Sequence, residues 1–293
     1  MTEISRTDLI TNRDGSIFHL HLLPDEIADT VLLVGDPGRV RMVSSFFDRI
    51  ESKHENREFV THTGYYSGER ISVLSTGIGT DNIDIVLNEL DALVNIDLKK
   101  LRVHETHRRL KLIRIGTSGL LNPELMPGST VVSTISGGLD GVLHFYDALD
   151  ALQIKELPEK FMTHFAWKSG LPTPYFLHAS SALLNRVSKL EAYSGITLST
   201  PGFYAPQFRK LRLDPFTDSF FDKVPDFEYR GLRIANFEME SSALYGLSAA
   251  LGHDAITLCI GIANRIIGRM VEDYHPYISR LIEELLHAIT AKE

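Results

Sequence analysis

The sequence holds a single cysteine, Cys259, in 293 residues. One thiol excludes an intrachain disulfide framework and suits a reducing compartment, so the cytoplasm is the expected location. Cys259 lies in the apolar run TLCIGI and reads as a buried, inert thiol. Long hydrophobic runs are missing: none approaches the roughly 20 residues of a membrane span. The opening residues, MTEISRTDLI, lack the charged-then-apolar order of a secretion signal. No membrane partner is therefore expected. Positive charge is also short, with 30 Lys and Arg against 38 Asp and Glu, a net charge of −8. That balance argues against nucleic acid as a partner. Any anion site must then be made locally positive by a few placed arginines. No Gly-Lys-Ser/Thr phosphate loop occurs and no G-x-G-x-x-G opens a helix, which disfavours triphosphates and dinucleotides. Internal repeats, linkers and low-complexity tracts are absent too.

The hydrophobic fraction, 43%, is enough for one large α/β domain with a full core. Three stretches read as a strand running into a glycine-rich turn: residues 31–40 (VLLVGDPGRV), 71–80 (ISVLSTGIGT) and 112–121 (LIRIGTSGLL). Helical spacing of apolar residues predicts helices over 84–94, 181–193 and 240–251, with a C-terminal helix over 275–292 that has Pro276 in its first turn. Residues 129–136 and 257–263 read as further strands. The alternation predicts a single α/β domain over 1–293. Residues 99–111 (KKLRVHETHRRLK) form the one charge run, read as a solvated insertion. His104 and His107 lie three apart within it, without the thiolates or carboxylates that a zinc site needs.

Glycine lets a backbone approach a ligand and aim N–H groups at it, and guanidinium forks suit a phosphate-sized anion. Arg39 and Arg114 stand in two of the three glycine-rich stretches. GDPGR (35–39) by itself fits either a plain turn or a ligand loop. Arg114 says more, because an unpaired charge inside the apolar strand LIRIG would be costly; it requires a partner, and an anionic ligand is a natural one. In FEMESS (237–242), Glu238 and Glu240 point the same way if the segment is extended. They could equally be an acidic pair at a helix start. In FYAPQFR (203–209), an aromatic ring, a carboxamide and a guanidinium could stack on and read a planar base, or form an ordinary surface loop.

Taken together, FHLHL, VGDPGRV, NREF, STGIGTDN, IRIGTSG, FYAPQFR, FEMES and GIANR resemble the nucleoside phosphorylase superfamily, in its uridine phosphorylase branch. The resemblance covers nearly the whole chain. It implies a nucleoside phosphorylase-like α/β fold, a central mixed sheet forming a distorted barrel flanked by helices. Residues 1–16 would be an N-terminal extension and 97–111 a basic insertion. It implies phosphorolysis of uridine to uracil and ribose 1-phosphate, a pentosyltransferase reaction of pyrimidine salvage, with inorganic phosphate as co-substrate and no cofactor. Gly35, Arg39, Arg57, Arg114 and Thr117 match phosphate-holding residues, Arg57 reaching a neighbouring subunit's site. His19, crossing likewise, matches a contact to the ribose, as do Thr117, Met239 and Glu240, with Glu240 on the diol. Gly119, Phe203, Gln207, Arg209, Ile262 and Ala263 match the base pocket, with Glu238 orienting the Gln207/Arg209 pair. Arg39, Arg114, Gln207, Arg209 and Glu240 would carry catalysis. A homodimer with shared sites is implied; the longer 97–111 region leaves a trimer of dimers open. In some relatives a monovalent cation sits between subunits, and Glu58, Ile78 and Asn82 stand at those positions, the last usually a serine.

The chemistry of the residues agrees. Uracil shows C2=O, N3–H and C4=O along one edge. Gln207 can accept from N3–H and donate to O2, while Arg209, a donor only, suits O4. Cytosine or adenine would put an amino group where Arg209 needs an acceptor, leaving buried groups unmatched at about 1–3 kcal/mol. An aspartate usual in the purine branch is replaced by Asn264, which disfavours purines. Two other readings remain: a purine nucleoside phosphorylase or nucleosidase of the same superfamily, and a non-catalytic nucleoside-binding protein.

Overall fold

A computed structural model describes residues 4–291. The first residues of the expected N-terminal extension, 1–3, and the expected last residue of the C-terminal helix, 292, lie outside the described residues. The chain enters through an isolated bridge, Thr11 to Ile17. Strand β1 (Thr30–Val34) leads into helix α1 (Pro37–Ser44). Strands β2 (Arg49–Asn56), β3 (Phe59–Tyr66) and β4 (Glu69–Ser75) form an antiparallel meander. Helix α2 (Thr80–Asn95) follows, buried along Ile83, Val86, Leu87, Leu90, Leu93 and Val94. Those positions recur at the helical period, which is why the segment was legible. The charge run is a short hairpin, β5 (Ile96–Asp97) with β6 (Arg102–Val103), then exposed chain through Arg109. Arg108 pairs with Asp29 and Arg109 with Asp254, so part of this basic stretch is neutralised on the spot.

Next come β7 (Lys111–Leu120), β8 (Thr130–Gly138), α3 (Leu149–Leu152), α4 (Leu157–Phe165) and β9 (Tyr175–His178). Helix α5 (Ser181–Val187) is shorter than the sequence predicts. It stops where Ser188 turns its hydroxyl back onto the Asn185 carbonyl, and the chain re-enters the sheet as β10 (Tyr193–Ser199). Helix α6 (Phe220–Lys223), β11 (Glu228–Tyr229) and β12 (Leu232–Glu238) precede α7 (Ser241–Leu251). Residues 241–248 of α7 are all buried, in keeping with the many small residues among them. The chain finishes with β13 (Asp254–Asn264), β14 (Arg269–Met270) and the amphipathic α8 (His275–Thr290). Among the described residues no helix is long and apolar enough to cross a membrane.

One 12-stranded mixed sheet gathers these strands, apart from the β5–β6 hairpin. Strands β7, β13, β8, β10 and β12 close on one another, because β12 also pairs with β7. This is the expected distorted barrel. From its wall the sheet continues through β1, β4, β3 and β2. The third glycine-rich stretch, GTSG (116–119), is therefore strand and not the expected turn. On one side β13 runs beside it from Lys111 to Leu120. On the other, β1 pairs with Lys111–Ile115 and β12 takes over at Gly119 and Leu120. Between these partners the sheet splits, and the split lies at the C-terminal ends of parallel β1 and β4. Such switch points are where α/β sheets bind ligands.

Candidate active site

A cleft of about 850 Å³ opens at this split. Gly35 and Arg39 line it from the β1–α1 turn, Arg114, Thr117 and Gly119 from β7, Phe203, Gln207 and Arg209 from the loop after β10, and Glu238, Met239 and Glu240 from the end of β12. Ile262 and Ala263 on β13 complete the wall. Segments far apart in sequence thus share one cavity.

At the anion end, Asp36 caps α1 by accepting from the Gly38 N–H at 2.8 Å, with Pro37 in the first turn. GDPGR is thus both a helix start and a wall of the cleft. Arg39 is buried in that first turn and donates to the Ile115 carbonyl at 3.4 Å. Arg114 is 4% exposed, and its Nε has no hydrogen-bond partner. Its guanidinium lies over Gly116, where a Cβ would come within 2.0 Å of Nη1. The absent side chain is what makes room for it.

The carboxylate pair satisfies both readings of FEMESS at once. Arg114 Nη1 is 3.5 Å from Glu238, and Nη2 pairs with Glu240. Glu238 also accepts from the N–H groups of Glu240 and Ser241, capping α7. Glu240 accepts from the Gly79 N–H at 2.9 Å, joining the second glycine-rich loop to the site. Burial works against the charge on Arg114, but Glu240 and Glu238 outweigh it and hold the guanidinium protonated above its ordinary value. Burial pushes Glu240 up, Arg114 opposes this and Glu238 adds to it. Arg114 is thus already shared between two carboxyl groups before any anion enters.

At the other end, Arg209 stacks on Phe203 with its Cζ 3.6 Å from the ring centroid. It donates to the Phe203 carbonyl at 2.6 Å and to Gln207 Oε1. Gln207 Nε2 donates to Thr200 Oγ1 at 2.9 Å. The amide is left with one N–H and one lone pair, the pattern that a C2=O and N3–H edge matches. Burial and the neighbouring Arg265 lower Arg209 to about 10, still protonated at neutral pH.

Two expectations change here. Glu238 lines the cleft but is committed to Arg114, Ser199 and the start of α7; the partner of the Gln207 amide is Thr200. Asn264 does not line the cleft. Its amide donates to the carbonyls of Asn122 and Leu125 and its oxygen accepts from Ile266 and Ile267, so it is a fully used loop staple that cannot choose the base. Glu58, Ile78 and Asn82 do meet at the rim of the cleft. Asn82 turns an N–H toward the Glu58 carboxylate at 3.4 Å.

His19 and Arg57 stand outside this chain's own cleft lining. His19 is held by Glu89, its ring Nδ1 at 2.6 Å from the carboxylate. Arg57 is exposed at the β2–β3 hairpin tip with φ at +55°, near the Phe18 ring. Asn56 donates to the His19 carbonyl at 2.8 Å and so ties the two residues into one surface patch. Arg265 escaped the sequence reading, although it stands in the quoted GIANR motif. It donates to the Gln207 carbonyl at 3.3 Å and lies over the Phe221 ring. Thr200 carried no sequence signal at all.

The model of the phosphorylase superfamily matches residues 29–284. A uridine phosphorylase of Thermococcus kodakarensis is 31% identical over 86% of this chain and 79% of its own length. One of Haemophilus influenzae is 28% identical over 86% and 87%. Among solved structures, a Trypanosoma brucei nucleoside phosphorylase described as showing uridine phosphorylase activity superimposes with a TM-score of 0.84 at 26% identity, covering 97% of this chain and 100% of that one. With its barrel split at GTSG, and with Arg39, Arg114 and the FEMES carboxylates in one cleft, the chain belongs to the phosphorylase superfamily.

Proposed function

We propose that the protein is a uridine phosphorylase that reversibly converts uridine and phosphate to uracil and ribose 1-phosphate. The observation that carries this reading is the Gln207 amide, held between Thr200 and Arg209 with one donor and one acceptor left for a base. Its place in a cleft with two buried arginines supports phosphate as the second substrate. The relatives' activities point the same way.

Phosphate is already an anionic nucleophile, so no general base and no cofactor are required. Arg39, Arg114, Thr117 and the Gly35 backbone hold it below the ribose C1′, which turns a bimolecular step into a near-unimolecular one. As the glycosidic bond stretches, positive charge grows on the ribose and the phosphate faces it. Glu240 accepts from Gly79 on Oε1 and from Arg114 and Met239 on Oε2, which leaves a lone pair on Oε1 to accept from a hydroxyl of the sugar diol. Met239 packs on the ribose, and Gly119, Phe203, Ile262 and Ala263 enclose the base. Negative charge flows into the uracil oxygens, where Gln207 and Arg209 stabilise it as an oxyanion hole would.

His19 and Arg57 complete the site of a second copy, reaching its ribose and phosphate, so the working unit is a homodimer acting in pyrimidine salvage in the cytoplasm. Their shared patch, apart from their own cleft, supports this reading. The test is uracil release from uridine with and without phosphate, with inosine alongside. Phosphate-dependent uracil release with inert inosine is expected. Release that ignores phosphate would overturn phosphorolysis, and faster cleavage of inosine would overturn the base assignment.

A further inference from the structure

We propose that Thr200 is the positioning residue that fixes which way round the Gln207 amide stands, and so sets the donor–acceptor order met by the base. Thr200 does not line the cleft and is fully buried at the end of β10. Its backbone N–H is tied to the Glu238 carbonyl at 3.1 Å. Its hydroxyl has one proton, and two carbonyls compete for it: Gly202 at 3.1 Å and Glu238 at 3.4 Å. With that proton committed, the hydroxyl can only accept, and it accepts from Gln207 Nε2 at 2.9 Å.

Across the amide, Arg209 has donors only and faces Oε1. A flipped amide would set N–H against guanidinium and oxygen against the Thr200 lone pairs. Gln207 is 3% exposed, so no water relieves either clash. Thr200 and Arg209 therefore impose one orientation from opposite sides. The remaining lone pair faces N3 and the remaining N–H faces O2. Uracil, with a proton on N3, fits this order. Cytosine, with a lone pair on N3, does not. Arg209 would touch the base itself, whereas Thr200 acts only through Gln207.

The inference rests on the uridine reading above, and its test separates the two. Thr200→Val and Thr200→Ser are made in the wild-type and in the Gln207→Leu background, and kcat/KM for uridine is measured at saturating phosphate. Thr200→Val should lose about tenfold in the wild-type background, the effect of one unmet buried donor. Thr200→Ser, which keeps the acceptor, should stay within about twofold, and Thr200→Val should cost less than about twofold once Gln207 is gone. If the Val variant does not fold, Thr200→Ala removes the same acceptor without pressing a methyl on the two carbonyls. Equal losses in both backgrounds, an unaffected Val or Ala variant, or a Ser variant as poor as Val, would overturn the assignment while uridine cleavage stands. A wild-type enzyme that leaves uridine intact would overturn both.

Discussion

Gly116→Ala tests the anion end with one added methyl group. The new Cβ would meet Arg114 Nη1 at 2.0 Å, Cys259 Sγ at 2.9 Å and Arg114 Cζ at 3.0 Å. Sulfur and guanidinium stand on the same side, so the methyl cannot turn away. The guanidinium is the end of a flexible side chain and can shift, but Glu238 and Glu240 hold it, and both are buried. Overpacking of this kind costs about 1–3 kcal/mol of stability. At roughly 2–3 °C per kcal/mol for a chain of this size, Tm should fall by roughly 2–9 °C and the protein should still fold. Function should suffer more. A displaced Arg114 loses a charge-assisted hydrogen bond to phosphate, about 1.5–3 kcal/mol, or roughly 10- to 100-fold in kcat/KM for phosphate. Gly119→Ala is the control on the same strand. Its Cβ would meet Arg265 Cγ at 3.5 Å and Arg209 Nη2 at 3.9 Å, ordinary contacts, so phosphate kinetics should change little. The assay is initial-rate phosphorolysis with phosphate varied at saturating uridine, beside a thermal melt. A folded Gly116→Ala enzyme with unchanged phosphate kinetics would refute the placement of Arg114 in the phosphate site.

Arg57→Ala and Arg114→Ala should each be nearly inactive alone, yet a mixture allowed to exchange subunits should regain activity, since one site of each hybrid would be intact. No recovery in verified hybrids would remove Arg57 from the partner's site. Cys259 is fully buried and burial pushes its thiol up to about 12, so a disulfide reagent at pH 8 should find no thiol in the native protein and one after denaturation. Rapid native labelling would contradict the packing under Arg114. Burial, then Lys53 and Arg41, hold His62 below its ordinary value, with Glu55 opposing, and its Nδ1 meets the Ser44 hydroxyl at 2.8 Å. A depressed folded value means that the imidazole's contribution is present above the unfolded pKa, about 6.5, and is lost as pH falls through the lower folded value. Tm should therefore drop on acidification below about pH 6.5, less steeply in His62→Gln; identical slopes would exclude His62 as the cause.

Local pattern made much of this molecule legible. The apolar stripe of α2 and the small-residue run of α7 follow from spacing alone, because a helix buries what recurs at its own period. Arg114 inside an apolar strand demanded a partner before any partner was known. The misread parts depended on distant chain. GTSG looked like a turn because glycine marks turns locally, yet it is strand because β13, β1 and β12 pair with it. Residues 188–193 kept a helical look, but the gap between β8 and β12 drew the segment that follows into the sheet. Asn264 bore on base choice only through the resemblance, which sets it where the purine branch usually has an aspartate; its side chain is in fact spent on backbone groups of Asn122, Leu125, Ile266 and Ile267.

By itself the sequence determined the residue types: arginines beside glycines, a carboxylate pair before a helix, and an aromatic, carboxamide and guanidinium in one loop. Only the tertiary structure decided their partners. It placed Glu240, 126 residues away, on Arg114, and it chose Thr200 over Glu238 for Gln207. It left His19 and Arg57 outside their own cleft. The physical reason is that spacing along a chain fixes which side chains share a face, whereas hydrogen-bond partners across a closed sheet are fixed by register, and register is set by the whole barrel at once.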